Sequence, residues 1–79
     1  MRLKVAMFGA LRERLGVNVP ADMEMDTGTT LQEALRKLER EIGPLGAGVA
    51  VAVNGSLTRG NPALSEGDEI FLLPPVSGG

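Results

Sequence analysis

The sequence predicts an α+β fold, with one main helix packed on a small mixed sheet. Three observations carry this expectation. The N-terminal segment alternates apolar and polar residues. One long stretch in the middle has an apolar stripe at helical spacing. Two short apolar runs follow it, bounded by turn residues. At 79 residues the chain makes one domain. Such a chain buries only about 60–65% of its unfolded surface, so its core is thin.

The first strand is expected over 2–8. Leu3, Val5 and Met7 fall on one face and Arg2, Lys4, Ala6 and Phe8 on the other. Gly9 ends it, and Ala10 to Leu15 follow as one or two helical turns, with Leu11 and Leu15 four apart and Gly16 as the stop. Pro20 interrupts the next segment, so the second strand is placed after it, at about 22–26, with Asp22, Glu24 and Asp26 forming its wet face. The main helix begins after Thr27-Gly28-Thr29-Thr30. Thr29 with Gln32, or Thr30 with Glu33, fits a capping box. Leu31, Ala34, Leu35, Leu38 and Ile42 make its apolar stripe. Glu33/Lys37 and Lys37/Glu41 are possible ion pairs on the wet side, and Gly43-Pro44 closes the helix. Val49 to Val53 reads as a strand buried on both faces, and Asn54-Gly55 as a hairpin turn. Glu66-Gly67-Asp68 is a turn, and Glu69 to Leu73 is a last strand that pairs with the first at the sheet centre. The order ββα, β, short connection, β is the β-grasp arrangement.

The absences narrow the function. With no Cys and no His, there are no disulfides, no thiolate nucleophile and no imidazole acid-base group. The usual ligands of zinc and transition metals are missing too, so no metal is expected. Met7, Met23 and Met25 read as core packing and not as a copper site. There is no Trp or Tyr, only two Phe, and the net charge is −2, which argues against nucleic acid as a partner. No stretch of roughly 18 apolar residues crosses a membrane, and no leader is recognisable at the N-terminus, so the expected location is the cytoplasm. The loop Gly43 to Gly48 lacks the Gly-Lys-Ser/Thr end of a phosphate loop. Carrying or binding is favoured over catalysis.

The C-terminus supplies the chemistry. Pro74 and Pro75 donate no hydrogen bond, so they end the ladder and hold the backbone extended. The domain is therefore placed at 1–73 and a flexible tail at 74–79. Pro74 to Gly79 can reach about 19 Å at ~3.1 Å per residue. Gly78 and Gly79 fit a narrow channel and leave the terminal carboxylate unshielded. That carboxylate is ionised at neutral pH and is a poor electrophile until another protein activates it. Gly79 is the candidate reacting residue. Pro74, Pro75, Val76, Ser77 and Gly78 are expected to thread into partner active sites. Leu57, Leu64, Leu73 and Val76 are candidates for an exposed docking patch, with core membership equally open for Leu57 and Leu64. Arg12 either holds a partner or is a solvated helix charge.

These elements resemble the MoaD family, the small sulfur-carrier subunits of molybdopterin synthase. The resemblance lies in Phe8-Gly9-Ala10-Leu11-Arg12-Glu13, Val53-Asn54-Gly55, Leu64-Ser65-Glu66-Gly67-Asp68-Glu69-Ile70 and Pro74-Pro75-Val76-Ser77-Gly78-Gly79, in order over almost the whole chain. A terminal Gly-Gly alone occurs by chance in about one chain in 200; joined to the upstream elements it is specific. The resemblance implies a ubiquitin-like β-grasp fold. It also implies that a MoeB-type activating partner adenylates Gly79 with ATP, and that the adenylate becomes a thiocarboxylate with sulfur drawn indirectly from a desulfurase. The charged carrier then serves the large subunit of molybdopterin synthase, in a heterotetramer, donating sulfur to a cyclic pyranopterin precursor. On this reading the chain binds no cofactor, is not an enzyme by itself, and docks through Phe8, Arg12, Leu57, Leu64 and Leu73. Two departures stand out: Leu73 sits where family members often carry an aromatic residue, and the loop Gly43 to Gly48 is short. Alternatives are a carrier for thiamine or tRNA thiolation, and a protein modifier joined to lysines through Gly79.

Overall fold

The computed structural model describes residues 1–15 and 22–75. Its elements are β1 (Arg2–Met7), α1 (Gly9–Leu15), β2 (Asp22–Glu24), α2 (Leu31–Ile42), β3 (Ala50–Val53), β4 (Ser56–Leu57) and β5 (Glu69–Leu73). The expected order of elements is observed with one addition, the two-residue strand β4, which stands where a connection was expected. The sheet runs β2-β1-β5-β3-β4. β1 and β5 form a parallel pair at the centre, with Lys4 opposite Glu69 and Met7 opposite Leu72, and the other pairings are antiparallel. One long helix on this mixed sheet is a β-grasp fold.

Period two in β1 decides which face is dry. Leu3, Val5 and Met7 are buried, while Arg2 and Lys4 are exposed. Ile70 and Leu72 of β5 lie on the same inner face and are buried. α2 covers this face with Leu31, Ala34 and Leu38, each buried, and Leu35 and Ile42 pack at the margin. Its start is fixed by a capping box. Thr30 accepts from the Glu33 amide, and the Glu33 carboxylate accepts the Thr30 amide at 3.0 Å. Of the two spacings that fit the pattern, Thr30 with Glu33 is the one used. Gly43 caps the other end, donating its amide to the Glu39 carbonyl. The Asn54-Gly55 hairpin forms as expected. Its Asn54 stands at φ 53° and also accepts the Glu69 amide, joining the hairpin to β5.

Several local expectations are corrected. The first strand ends at Met7, not Phe8, and the short helix already includes Gly9. The second strand stops at Glu24, although the Met25 amide still bonds the Met1 carbonyl at 2.8 Å. The run Val49 to Val53 is not buried on both faces. Only Ala52 is buried, because β3 has just the two-residue β4 between it and the sheet edge. Lys37 makes no ion pair with Glu33 or Glu41; its ammonium instead donates to the Glu24 carbonyl at 2.8 Å. A fixed carbonyl on β2 holds it better than a mobile side chain on the same helix. Glu33 is already engaged in the cap. Among the described residues the ion pairs are those of Glu24 with the N-terminal ammonium and with Arg2. The proposed stop at Gly16 lies outside the described residues.

Candidate functional site: the open sheet face and the foot of the tail

The strands that bury one set of side chains under α2 present the alternate set on the other face. The register places Ala6 beside Phe71, Phe71 beside Ala52, and Ala52 beside Leu57. The rings of Phe8 and Phe71 stack, with centroids 6.0 Å apart. Leu73 ends β5 opposite Ala50, half-buried. These residues form an apolar field at one end of the open face. Leu57 is 73% exposed and Phe8 44%, the two large apolar side chains that stand out among the described residues. The other end of the same face is charged, with Arg2 opposite Glu24, Lys4 opposite Asp22, and Lys4 also opposite Glu69. Arg2 donates to the Glu24 carboxylate at 3.2 Å.

The apolar field adjoins the place where the chain leaves the sheet. The Phe8 amide donates to the Leu72 carbonyl at 3.1 Å, which closes the β1–β5 ladder just before the prolines. Pro74 then lies against Gly9, the first residue of α1, and Pro75 lies against Gly48, two residues before β3. The foot of the tail thus sits on the domain, with Pro74 half-buried. Val76, Ser77, Gly78 and Gly79 lie outside the described residues.

The site residues expected from the sequence divide clearly. Phe8, Leu57 and Leu73 lie on the same open face, with β5 and β3 between Phe8 and Leu57. Arg12 is exposed on α1. Leu64 is a correction: it is buried at 5% exposure within the core, its amide held by the Thr29 carbonyl, so it cannot line a docking surface. The Thr30–Ala63 bridge pulls this segment against the start of α2 and turns Leu64 inward. Phe71 was not singled out from the sequence. Its signal was available, since it stands two residues before Leu73 and so shares its face.

Among the described residues no group of three or more His, Cys, Asp or Glu could hold a metal ion. No described helix is long and apolar enough to cross a membrane. A concavity of about 680 Å³ lies at the Met1 end of β1, and Pro74 is not among the residues that line it. It mixes Glu24, Asp26 and Glu33 with Arg36, Lys37 and Arg40, which gives it no single charge character. Glu33 is the acidic partner in the helix cap. Its carboxyl is held below the ordinary 4.5 first by the Thr30 amide, then by the Thr30 hydroxyl, with Arg36 adding a smaller pull. That shift serves the helix cap, not chemistry.

The family model described as the ThiS family matches residues 5–79. The molybdopterin synthase sulfur carrier subunit of Arabidopsis thaliana is 30% identical over 82 residues, covering 100% of this chain and 84% of that protein. Among solved structures, SAMP1 of Haloferax volcanii superposes with a TM-score of 0.80 at 27% identity, each chain covered in full. A second structure of that small archaeal modifier protein 1 gives 0.76 at 25% identity, covering 95% of this chain and 98% of the other. A complex of subunits 1 and 2 of the molybdopterin-converting factor from Helicobacter pylori contains a chain that matches with a TM-score of 0.68 at 30% identity, both chains covered in full.

Proposed function

The chain belongs to the ubiquitin-like ThiS family of sulfur carriers, and on that premise we propose that it carries sulfur as a thiocarboxylate on Gly79 for molybdopterin synthesis. The observation that carries the reading is the course of β5. This central strand runs beside the open apolar face and passes directly into Pro74-Pro75-Val76-Ser77-Gly78-Gly79. A partner that covers the face therefore also receives the end of the chain.

The chemistry follows from what the chain lacks. Without Cys it cannot hold sulfur as a persulfide on a side chain, which leaves the terminal carboxylate as the carrier. The Gly79 carboxylate attacks the α-phosphorus of ATP in the site of a MoeB-type partner, releasing pyrophosphate and forming an acyl-adenylate. A persulfide supplied indirectly by a desulfurase then displaces AMP to give an acyl disulfide, and a thiol reductant cleaves its S–S bond, leaving the thiocarboxylate and a disulfide. The carrier docks on a large synthase subunit, and its sulfur attacks a carbon of the pyranopterin precursor, expelling an oxygen leaving group and joining the two as a thioester; water then cleaves the acyl C–S bond, which leaves the sulfur on the product and returns the carboxylate. The carrier contributes no acid, base or metal to these steps. Its contribution is a substrate end free of side chains, delivered by an extended foot. A large-subunit partner is supported by the similarity to a chain of the Helicobacter pylori subunit 1–subunit 2 complex, and the specific pathway by the Arabidopsis relative. The cytoplasm, where the ATP-dependent partner would work, is the proposed location.

A second reading is favoured by the likeness to SAMP1, which one of its structures describes as a small archaeal modifier protein. In it Gly79 is activated in the same way, but the acyl group passes to an amine of a target protein.

One experiment separates the two. The protein is incubated with ATP, the activating partner and a sulfur source, and then treated with a thiol alkylating reagent. With no Cys present, a thiocarboxylate is the sole thiol-like group, and the adduct is located by mass spectrometry of the C-terminal fragment. An ATP-dependent adduct on Gly79, lost on deleting that residue, is the expected result. No adduct with an active partner, together with Gly79-dependent conjugates on other proteins, overturns the sulfur carrier in favour of the modifier.

A further inference from the structure

We infer that Gly9 and Gly48 form a seat for Pro74 and Pro75, braced by Arg14, that fixes where and in which direction the C-terminal segment leaves the fold. This deepens the sulfur-carrier reading and rests on it for its activity test.

Two close approaches define the seat. A Cβ added at Gly9 would stand 3.0 Å from Pro74 Cγ, and one added at Gly48 would stand 3.0 Å from Pro75 Cβ. The second contact is the harder to relieve, because Pro75 Cβ is fixed to the backbone, whereas Pro74 Cγ can move by a change of ring pucker. The two seats come from parts of the chain far apart in sequence, α1 and the loop before β3. Arg14, at the other end of α1, ties them together. Its guanidinium donates to the Pro44 carbonyl at 3.2 Å and to the Leu45 carbonyl at 2.6 Å. The loop is anchored again by the Leu45 amide on the Glu39 carboxylate at 2.9 Å, and by the burial of Leu45 in the core. A loop bound this firmly is more than a connection between α2 and β3. It holds Gly48 at a set distance from Gly9.

The seat supplies positioning. A tail whose foot is held needs to order fewer residues on entering an active site, and small errors of placement at the reacting atom are costly. Gly9, Gly48 and Arg14 are thus positioning residues for the reaction at Gly79, and none of them touches the reacting atoms.

The test uses a matched pair of glycines. Gly48 and Gly67 both stand at φ +81°, but a Cβ at Gly67 meets nothing within 4 Å. Gly48→Ala and Gly67→Ala therefore both place a side chain at the same positive φ, and only the first collides with the tail. The melting temperature, and the kcat and KM for ATP-dependent adenylation by the activating enzyme, are measured for each full-length variant. Both variants are expected to melt earlier, while Gly48→Ala alone raises the KM for the carrier, by roughly tenfold or more. Arg14→Gln, which loosens the brace, should raise KM in the same direction. Equal KM values for Gly48→Ala and Gly67→Ala overturn the seat, and an unchanged KM in Arg14→Gln removes Arg14 from it.

A second measurement needs no partner. Pro74→Ala deletes the atom that a Cβ at Gly9 would strike, so the melting penalty of Gly9→Ala should shrink in the Pro74→Ala background. Strict additivity overturns the contact. If the wild-type chain is never adenylated, the sulfur-carrier reading falls, and the seat still stands or falls by this cycle.

Discussion

The two faces of the sheet are built from the same strands and obey different demands. On the inner face Leu3, Val5, Met7, Ile70 and Leu72 are all buried beneath α2. On the outer face the intervening residues run from Arg2 and Lys4 at one end to Phe8, Phe71, Leu73 and Leu57 at the other. The inner face is uniform because its one task is to exclude water. The outer face changes character along its length, and its apolar end coincides with the exit of the chain at Pro74. Stability alone gives no reason to keep Leu57 73% exposed. Its exposure fits the proposed docking face. The difference teaches that an alternating strand can hold the fold together with one set of side chains and leave the other set free to address a partner.

Substitution of neighbours along β5 is the strongest way to break this contrast. Leu72 is 0% exposed, so Leu72→Ala removes a packed side chain from the thin core and should cost about 2–5 kcal/mol in chemical denaturation. For a domain of this size that approaches the whole stability. A loss below about 1 kcal/mol would mean that the inner face is not the main support of the fold.

The outer face should answer in the opposite way. Leu57→Asp is expected to change stability by no more than about 0.5 kcal/mol, while the affinity for the large synthase subunit falls about tenfold or more, read by calorimetry. Phe71→Ala should weaken the same binding by about 1–2 kcal/mol. It should also lose a little stability, since its ring stacks on Phe8. Full affinity in both variants would remove the open face as the docking surface.

What the sequence revealed follows the same division. The strand alternation, the helical stripe, the Thr30 cap and the Asn54-Gly55 turn were legible because each is a local pattern with one physical cause. Leu64 was not. It is an isolated apolar residue among polar neighbours, and its burial depends on the Thr30–Ala63 bridge and the Thr29 carbonyl, both distant in sequence. Lys37 misled for a similar reason, since its partner is a carbonyl on β2 and not a helix neighbour. At the candidate site a chemistry for the tail could be argued from Pro74 to Gly79 alone, and Phe8, Leu57 and Leu73, named from the sequence as docking candidates, lie on one open face. The seat at Gly9 and Gly48 was hidden, because a close approach between segments leaves no mark in either segment alone.

The smallest expected effect sharpens the contrast from the helix side. α2 covers the inner face, and its first turn depends on the reciprocal bonds of Thr30 and Glu33. The Glu33 carboxyl is held below 4.5 by the Thr30 amide above all, so the charged form is bound more tightly in the folded state than in the unfolded chain. Its contribution to stability is therefore complete above the ordinary glutamate range. It is lost as the pH falls through the lowered folded value. Glu33→Gln keeps an acceptor for the Thr30 amide and removes the charge. The wild type should melt slightly above this variant at pH 6, and the gap should close as the pH drops below 4.5. The two proteins differ at this one position, so the difference between their pH profiles reports on Glu33. A gap that does not vary with pH would show that the cap works as a neutral hydrogen bond. In either case the affinity of the outer face for its partner should not move, because the cap acts on the face that the partner never meets.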